Sequence, residues 1–461
     1  MSLSAGVRFR LSTMMFLLYC MWGSWAVVAY PYFLERHFSA VAIGWLFSMG
    51  PLACIVAPFI GGQIADRWLP SQWFLGIIAL VGGVFLIFMA LETDPTRMLI
   101  EMAVYSLMFA PALPLTNSLA FHHLKDPDRE FGGIRVWGTI GWIAAGLILT
   151  AWRHAMDPAF TALFSGVSLS GEWLGKLWEV WWGASPAGVM GDLFFLGAGF
   201  SFALGLFSFA LPHTPPKKEG VKPLAFVEAL KLLKDRNFAI FLLIAFVVTT
   251  ELNFYYIPTP GFLEDIGISK ANVPAVMTIA QLAEILVLAF LLPPAVKKIG
   301  LRWTLALGVI AWPLRYVIFA FGEPTWLVVA ALAFHGFGYA FFFVASQIYV
   351  NNVAHGDIRA SAQSLLTLVT VGIGMWLGAM IFTFIKIVCT AGPLPEDSWA
   401  FMVPVYESLR HWVGTDAGEA GVTNWKCLFL VPCALTSACA LAYLLFFRPA
   451  AEQLKAEKVP A

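Results

Sequence analysis

Apolar stretches of about 18 to 25 residues, the length a helix needs to cross hydrocarbon, recur along the whole chain between short polar connections. They fall near residues 11–33, 40–62, 72–91, 98–120, 132–152 and 192–211, and again near 238–258, 272–292, 302–321, 326–350, 359–386 and 425–447. Twelve such runs predict an all-α membrane protein with twelve transmembrane helices. Between the sixth and seventh runs lies the longest basic stretch, with Lys217, Lys218, Lys222, Lys231, Lys234 and Arg236. It divides the chain into an N-terminal bundle (1–211), a linker (212–237), a C-terminal bundle (238–447) and a tail (448–461). Two long inserts, 153–190 and 388–424, each follow the fifth run of a half. That parallel predicts two six-helix pseudo-repeats.

The connections carry their own predictions. Gly62-Gln63-Ile64-Ala65-Asp66-Arg67 reads as a tight polar turn after the second run, and Pro111 and Pro114 as a bend in the fourth. His122 and His123 sit beside Lys125, Asp126, Asp128 and Arg129, as solvated loop residues do. Trp173, Trp178, Trp181 and Trp182 mark the first insert as a segment lying at the membrane surface. An amphipathic helix is predicted in the linker over 223–234.

Composition sharpens this picture in three ways. Of 461 residues, 60% are hydrophobic and 12% charged, about half the charged share of a soluble protein. A formal net charge of zero argues against a nucleic-acid partner. Basic residues favour the side of the termini and linker by roughly two to one, which places both termini in the cytoplasm. The chain runs straight into its first span, read as an uncleaved helix of a multi-pass inner-membrane protein. Among the cysteines, Cys20, Cys54, Cys433 and Cys439 are apolar packing residues, whereas Cys389 and Cys427 flank one loop on one side and are candidates for a disulfide. No spacing suggests a metal, and no nucleophile–base pair suggests an enzyme.

Candidate chemistry lies in polar residues that lipid disfavours. Arg135 opens the fifth span with Thr139 four residues on, on one helical face, and Gly138 and Gly141 form a small-residue side for a close neighbour. Arg135 either faces a solute cavity or reaches back to the interface. Glu251 lies in the seventh span, Gln281 and Glu284 in the eighth, Arg315 in the ninth and His335 in the tenth. Gln281 and Glu284 share a face; Asn253 with Tyr256, and His335 with Tyr339, make two further pairs. Donors and acceptors mixed with rings suit a flat, uncharged, hydroxyl-bearing ligand. Glu251 and Arg315 also read as a buried structural ion pair.

The turn at Gly62–Arg67 resembles the signature loop of the major facilitator superfamily without its basic tail; the resemblance implies that Asp66 and Arg67 help hold one conformation closed. Trp22-Gly23-Ser24-Trp25, Ile134–Gly141, Glu251-Leu252, Gln281–Glu284, Trp312–Arg315 and Ile358–Gln363 are similar to the bacterial nucleoside:proton symporters, in matching order. The resemblance implies proton-coupled nucleoside import by alternating access, with no cofactor besides protons and a single chain as the working unit. Arg135, Thr139 and Trp142 would contact nucleoside from the first half, and Asn253, Tyr256, Gln281, Glu284, His335 and Tyr339 from the second. Ala340 replaces an acid expected there, which leaves Glu284, Glu251 or His335 to carry the proton. A sugar or polyol porter and a non-transporting sensor are the competing readings.

Overall fold

The structure, a computed structural model, describes residues 4–67, 69–124, 127–155, 191–215, 230–354 and 359–448, with side chains at all of these except 57–67, 127–129, 155 and 359–360. Twelve spans are present among the described residues. The first six are Ala5–Gly23 continued by Ala29–Glu35, then Ala40–Arg67, Ser71–Leu91, Pro95–His123, Pro127–Ala155 and Asp192–Ser208. The seventh, Arg236–Tyr256, is broken into Arg236–Glu251 and Asn253–Tyr256, and a short helix, Thr259–Asp265, follows it. The eighth and ninth form one 49-residue apolar stretch, Val273–Phe321, divided at Gly300 (φ 80°), a backbone conformation that side chains with a Cβ disfavour. The tenth spans Thr325–Val353, the eleventh runs from Arg359 to Cys389, and the twelfth is Trp425–Phe446.

Local chemistry sets several of these boundaries. Asp94 accepts from the Arg97 amide and precedes a proline at the first helical position. Asp235 accepts from the Asn237 and Phe238 amides, and Asn424 from that of Cys427. Three spans of the second half widen to a turn of i→i+5 spacing, at Val287–Leu291, Tyr339–Val344 and Leu368–Gly374. Wide turns of this kind gather at functional sites.

The structure corrects two details of the connections. Gly62–Arg67 is not a turn: the second helix runs unbroken through Arg67. Its apolar spacing simply continues, and nothing before Pro70 stops it. The side chains of Asp66 and Arg67 lie outside the described residues, as do residues 156–190 with their tryptophans. His122 and His123 end a helix, where positive side chains suit the terminal carbonyls, and His123 Nε2 lies 2.8 Å from Thr214 Oγ1. The helix predicted over 223–234 lies outside the described residues up to 229, and Lys231–Lys234 forms a 3₁₀ turn.

One apolar core extends through the first six spans and takes in Phe254, Tyr255, Phe262, Val273, Met277, Phe382 and Phe429 of the second half. These residues belong to the ends of spans remote from the linker. A second core, with Phe238, Phe241, Leu301, Trp312, Tyr349 and Phe447, fills the linker end of the second half. The halves therefore meet at the end away from the linker, called here the outer end. There the fifth span rests on the eighth: Thr150 accepts from the Ala275 amide at 3.0 Å, and His154 Nε2 lies 2.7 Å from Asn272 Oδ1. Glycine makes the approach possible, since a Cβ at Gly146 would stand 2.9 Å from Thr278 Cγ2 and 3.0 Å from the Pro274 oxygen. Gly44 meets the Thr383 side chain in the same way between the second and eleventh spans.

Candidate functional site

The first half supplies an aromatic wall with one cation. Tyr19 and Trp22 are three apart on the first span, and their rings lie 6.1 Å from each other. Trp22 meets Phe109 at 5.1 Å and, edge-on, Trp142 at 5.0 Å. The Arg135 guanidinium sits 4.4 Å from the centre of the Tyr19 ring. A cation held against a ring face keeps much of its stabilisation out of bulk water. The small-residue side of the fifth span is taken by the first span. A Cβ at Gly138 would stand 2.7 Å from Tyr19, Gly141 lies against the Phe16 carbonyl, and Cys20 donates to the Gly141 oxygen at 3.1 Å. Gly23 in turn leaves room for the Trp142 ring.

Glu284 and Tyr339 approach Arg135 from the second half. Arg135 and Glu284 lie within electrostatic range of each other, with the neutral phenols Tyr19 and Tyr339 in the same neighbourhood. Tyr256 lies near Glu284 and Tyr339 as well. Gly336 packs on the backbone of Ala283 and Glu284, which brings the tenth span close and sets Tyr339 beside the carboxylate. Arg135, Glu284 and Tyr339 are only partly exposed. Gln281 is buried, and its Oε1 accepts no hydrogen bond. A buried acceptor without a partner costs stability, so the place for a ligand donor is marked by the chain itself.

A second cluster lies behind this one. Arg315 and Glu251 are fully buried and face each other at 3.7 Å. The guanidinium is enclosed by Tyr255, Trp312 and Tyr316 at 4.2–4.7 Å and donates to the Tyr316 hydroxyl at 2.9 Å. That hydroxyl donates to the Glu251 carbonyl at 2.9 Å. Arg315 Nη1 also reaches His335 Nδ1 at 3.5 Å, and a guanidinium only donates, so Nδ1 accepts and the ring proton belongs on Nε2. Nε2 faces the Tyr256 hydroxyl at 3.2 Å. His335 stacks between Tyr255 at 4.8 Å and Tyr339 at 5.9 Å.

The sequence-predicted residues thus divide. Arg135, Glu284, Tyr339 and Tyr256 are brought together across the halves, with Gln281 one turn from Glu284. Trp142 joins the aromatic wall, and Thr139 is partly exposed one turn from Arg135. Glu251 and His335 belong to the Arg315 cluster. Asn253 does not accompany Tyr256. The seventh span breaks on either side of Asn253–Tyr256, and the Asn253 amide donates instead to the Met375 carbonyl at 2.7 Å. Tyr19 escaped the sequence reading, although its place one turn before Trp22 was the available signal. Tyr255 carried no such mark.

Residues 5–162 and 189–452 match the sequence profile of the family described as Nucleoside H+ symporter. The chain is 31% identical over 459 residues to YegT of Escherichia coli (strain K12), covering 98% of this chain and 96% of that protein. Nucleoside permease NupG of the same organism is 26% identical over 465 residues, covering 96% of each. The crystal structure of nucleoside transporter NupG superposes with a TM-score of 0.75 at 23% identity, covering 96% of this chain and all of that one. A D-xylose-proton symporter shares the fold at a TM-score of 0.65 and 12% identity.

Proposed function

The chain belongs to the nucleoside H+ symporter family, and from that premise we propose that it imports nucleosides together with protons by alternating exposure of a central site between its halves. One observation carries this reading: Arg135 of the fifth span and Glu284 of the eighth lie within charge reach across the halves, beside an unsatisfied Gln281 oxygen. The base would stack on Trp142, Tyr256 or Tyr339, and its donor edge would meet Gln281. The ribose hydroxyls would donate to Glu284 or accept from Arg135. Glu284 takes a proton when its side of the cavity meets water and releases it on the other. The Arg315 cluster holds the second half rigid behind it.

The remaining parts of the reading follow from charge and connectivity. The halves are 1–211 and 238–447, joined by a cytoplasmic linker at 212–237 and followed by a cytoplasmic tail. The protein crosses the inner membrane with both termini inside, works as a single chain and needs no cofactor besides protons. Asp66 and Arg67 brace the inner end when it closes.

Uptake of radiolabelled uridine, adenosine and guanosine into cells, with and without a protonophore, tests the proposal. Saturable accumulation that the protonophore abolishes is expected, with competition by unlabelled nucleosides and none by sugars. Competition by sugars and not by nucleosides overturns the substrate class.

A further inference from the structure

We propose that Cys389 and Cys427 form a disulfide that staples the base of the 390–424 segment and fixes it as a cap over a cavity at the outer end. Cys389 is the last residue of the eleventh span, and Cys427 lies in the first turn of the twelfth. They are 38 positions apart in the chain, yet the backbone already ties their neighbourhoods together. The Asn424 amide donates to the Cys389 carbonyl at 2.7 Å, and Thr390 pairs with Thr423 in an antiparallel bridge. The two thiols are free in this structure, Cys389 buried and Cys427 partly exposed. Other cysteines are committed elsewhere: Cys20 to the Gly141 carbonyl and Cys433 to that of Pro313.

The staple has something to hold. Between the two cysteines the chain forms the helix Val403–Val413, whose Arg410 donates to the carbonyls of Thr390 and Gly392. Thr415 donates to the Val388 carbonyl at 2.6 Å, and Asp397 accepts from Ser39 of the first half. Beneath this segment lies a cavity of about 370 Å³, bordered by Tyr30, Glu264, Lys386, Thr390, Thr423 and Trp425. Closing the ring between residues 389 and 427 removes freedom from the loosened segment, an effect that grows with loop length.

The reaction requires an oxidising outer side, and so rests on the orientation proposed above. A disulfide-bearing oxidant is attacked by the partly exposed Cys427 sulfur, giving a mixed disulfide and one reduced sulfur on the oxidant. The buried Cys389 then attacks the Cys427 sulfur and releases the second. Two thiols lose two electrons and two protons, and the oxidant becomes a dithiol.

Alkylating the full-length protein in denaturant straight from native membranes, before any reduction, gives the answer by mass. Four of the six cysteines should be modified, with one unreduced peptide pair joining Cys389 to Cys427; modification of all six overturns the proposal. In Cys427→Ser all five remaining thiols should react, and a Cys389 that stays blocked there overturns the pairing. Orientation is read separately with a membrane-impermeant phosphine. Release of the crosslink in intact cells supports the outer placement; release only in inverted vesicles overturns that placement while leaving the bond itself established.

Discussion

Arg135 lays its guanidinium over the Tyr19 ring, and Glu284 across the halves is the proposed carrier of the proton. Glu284→Gln keeps the shape and an acceptor but removes ionisation. Uphill accumulation should fall to the level seen with a protonophore, while exchange of labelled for unlabelled nucleoside continues. Counterflow in proteoliposomes reads both, and full uphill accumulation by the variant sinks the assignment. Arg315 answers to a different logic. It is fully buried with Glu251, so Arg315→Met leaves a carboxylate uncompensated, which costs about 3–5 kcal/mol. The melting temperature should drop sharply, and adding Glu251→Gln should recover most of the loss; no recovery would remove the ion pair from the account. The sequence marked both acids as out of place in a membrane. It did not say that one had a permanent partner 64 positions away and the other had none so close.

Glycine decides how the spans approach one another. Gly138 and Gly141 stood out as a small-residue side in the sequence, and the helix they admit is the first span. Gly146 and Gly44 do the same between the halves, a role no local pattern announced. A leucine at Gly146 meets Thr278 and the Pro274 carbonyl, so Gly146→Leu should hold the outer end apart. Transport should fall at least about tenfold, equivalent to roughly 1.4 kcal/mol against the closed arrangement. Faster hydrogen exchange in peptides covering 146–155 and 270–278 checks the cause; unchanged exchange would count against it. The irregular seventh span shows the limit of helical periodicity. Asn253 and Tyr256 share a face on a regular helix, but the breaks on either side turn the Asn253 amide to Met375 and the Tyr256 hydroxyl to His335.

At the scale of the molecule, the outer end is closed by groups drawn from both halves. Glu35 pairs with Lys270, Arg153 binds Asp192 at 2.9 Å, and its Nη1 reaches the Lys270 carbonyl. Glu264 lies beside them, beyond the Arg236–Tyr256 stretch, and burial pushes its carboxyl from the usual 4.5 up to about 7. Lys270 and Arg153 pull it down, and Glu35 and Asp265 push it further up. A carboxyl raised in the closed form binds its proton more tightly there. The closed outer end is therefore favoured fully below about 4.5 and loses that contribution as pH rises through 7. Exchange in the 259–273 segment, corrected for intrinsic rates, should quicken between pH 5.5 and 8 in the wild type and stay flat in Glu264→Gln. A flat wild type would exclude Glu264 as the source. The run lengths and spacing of apolar residues determined the twelve spans by themselves, because hydrocarbon penalises every unpaired backbone group whatever the neighbouring helix is. Which end is shut, which acid is paired, where Asn253 turns and that the backbone beside Cys389 pairs with that before Cys427 were decided only by the tertiary structure, because each depends on groups far apart in the chain whose meeting leaves no local trace.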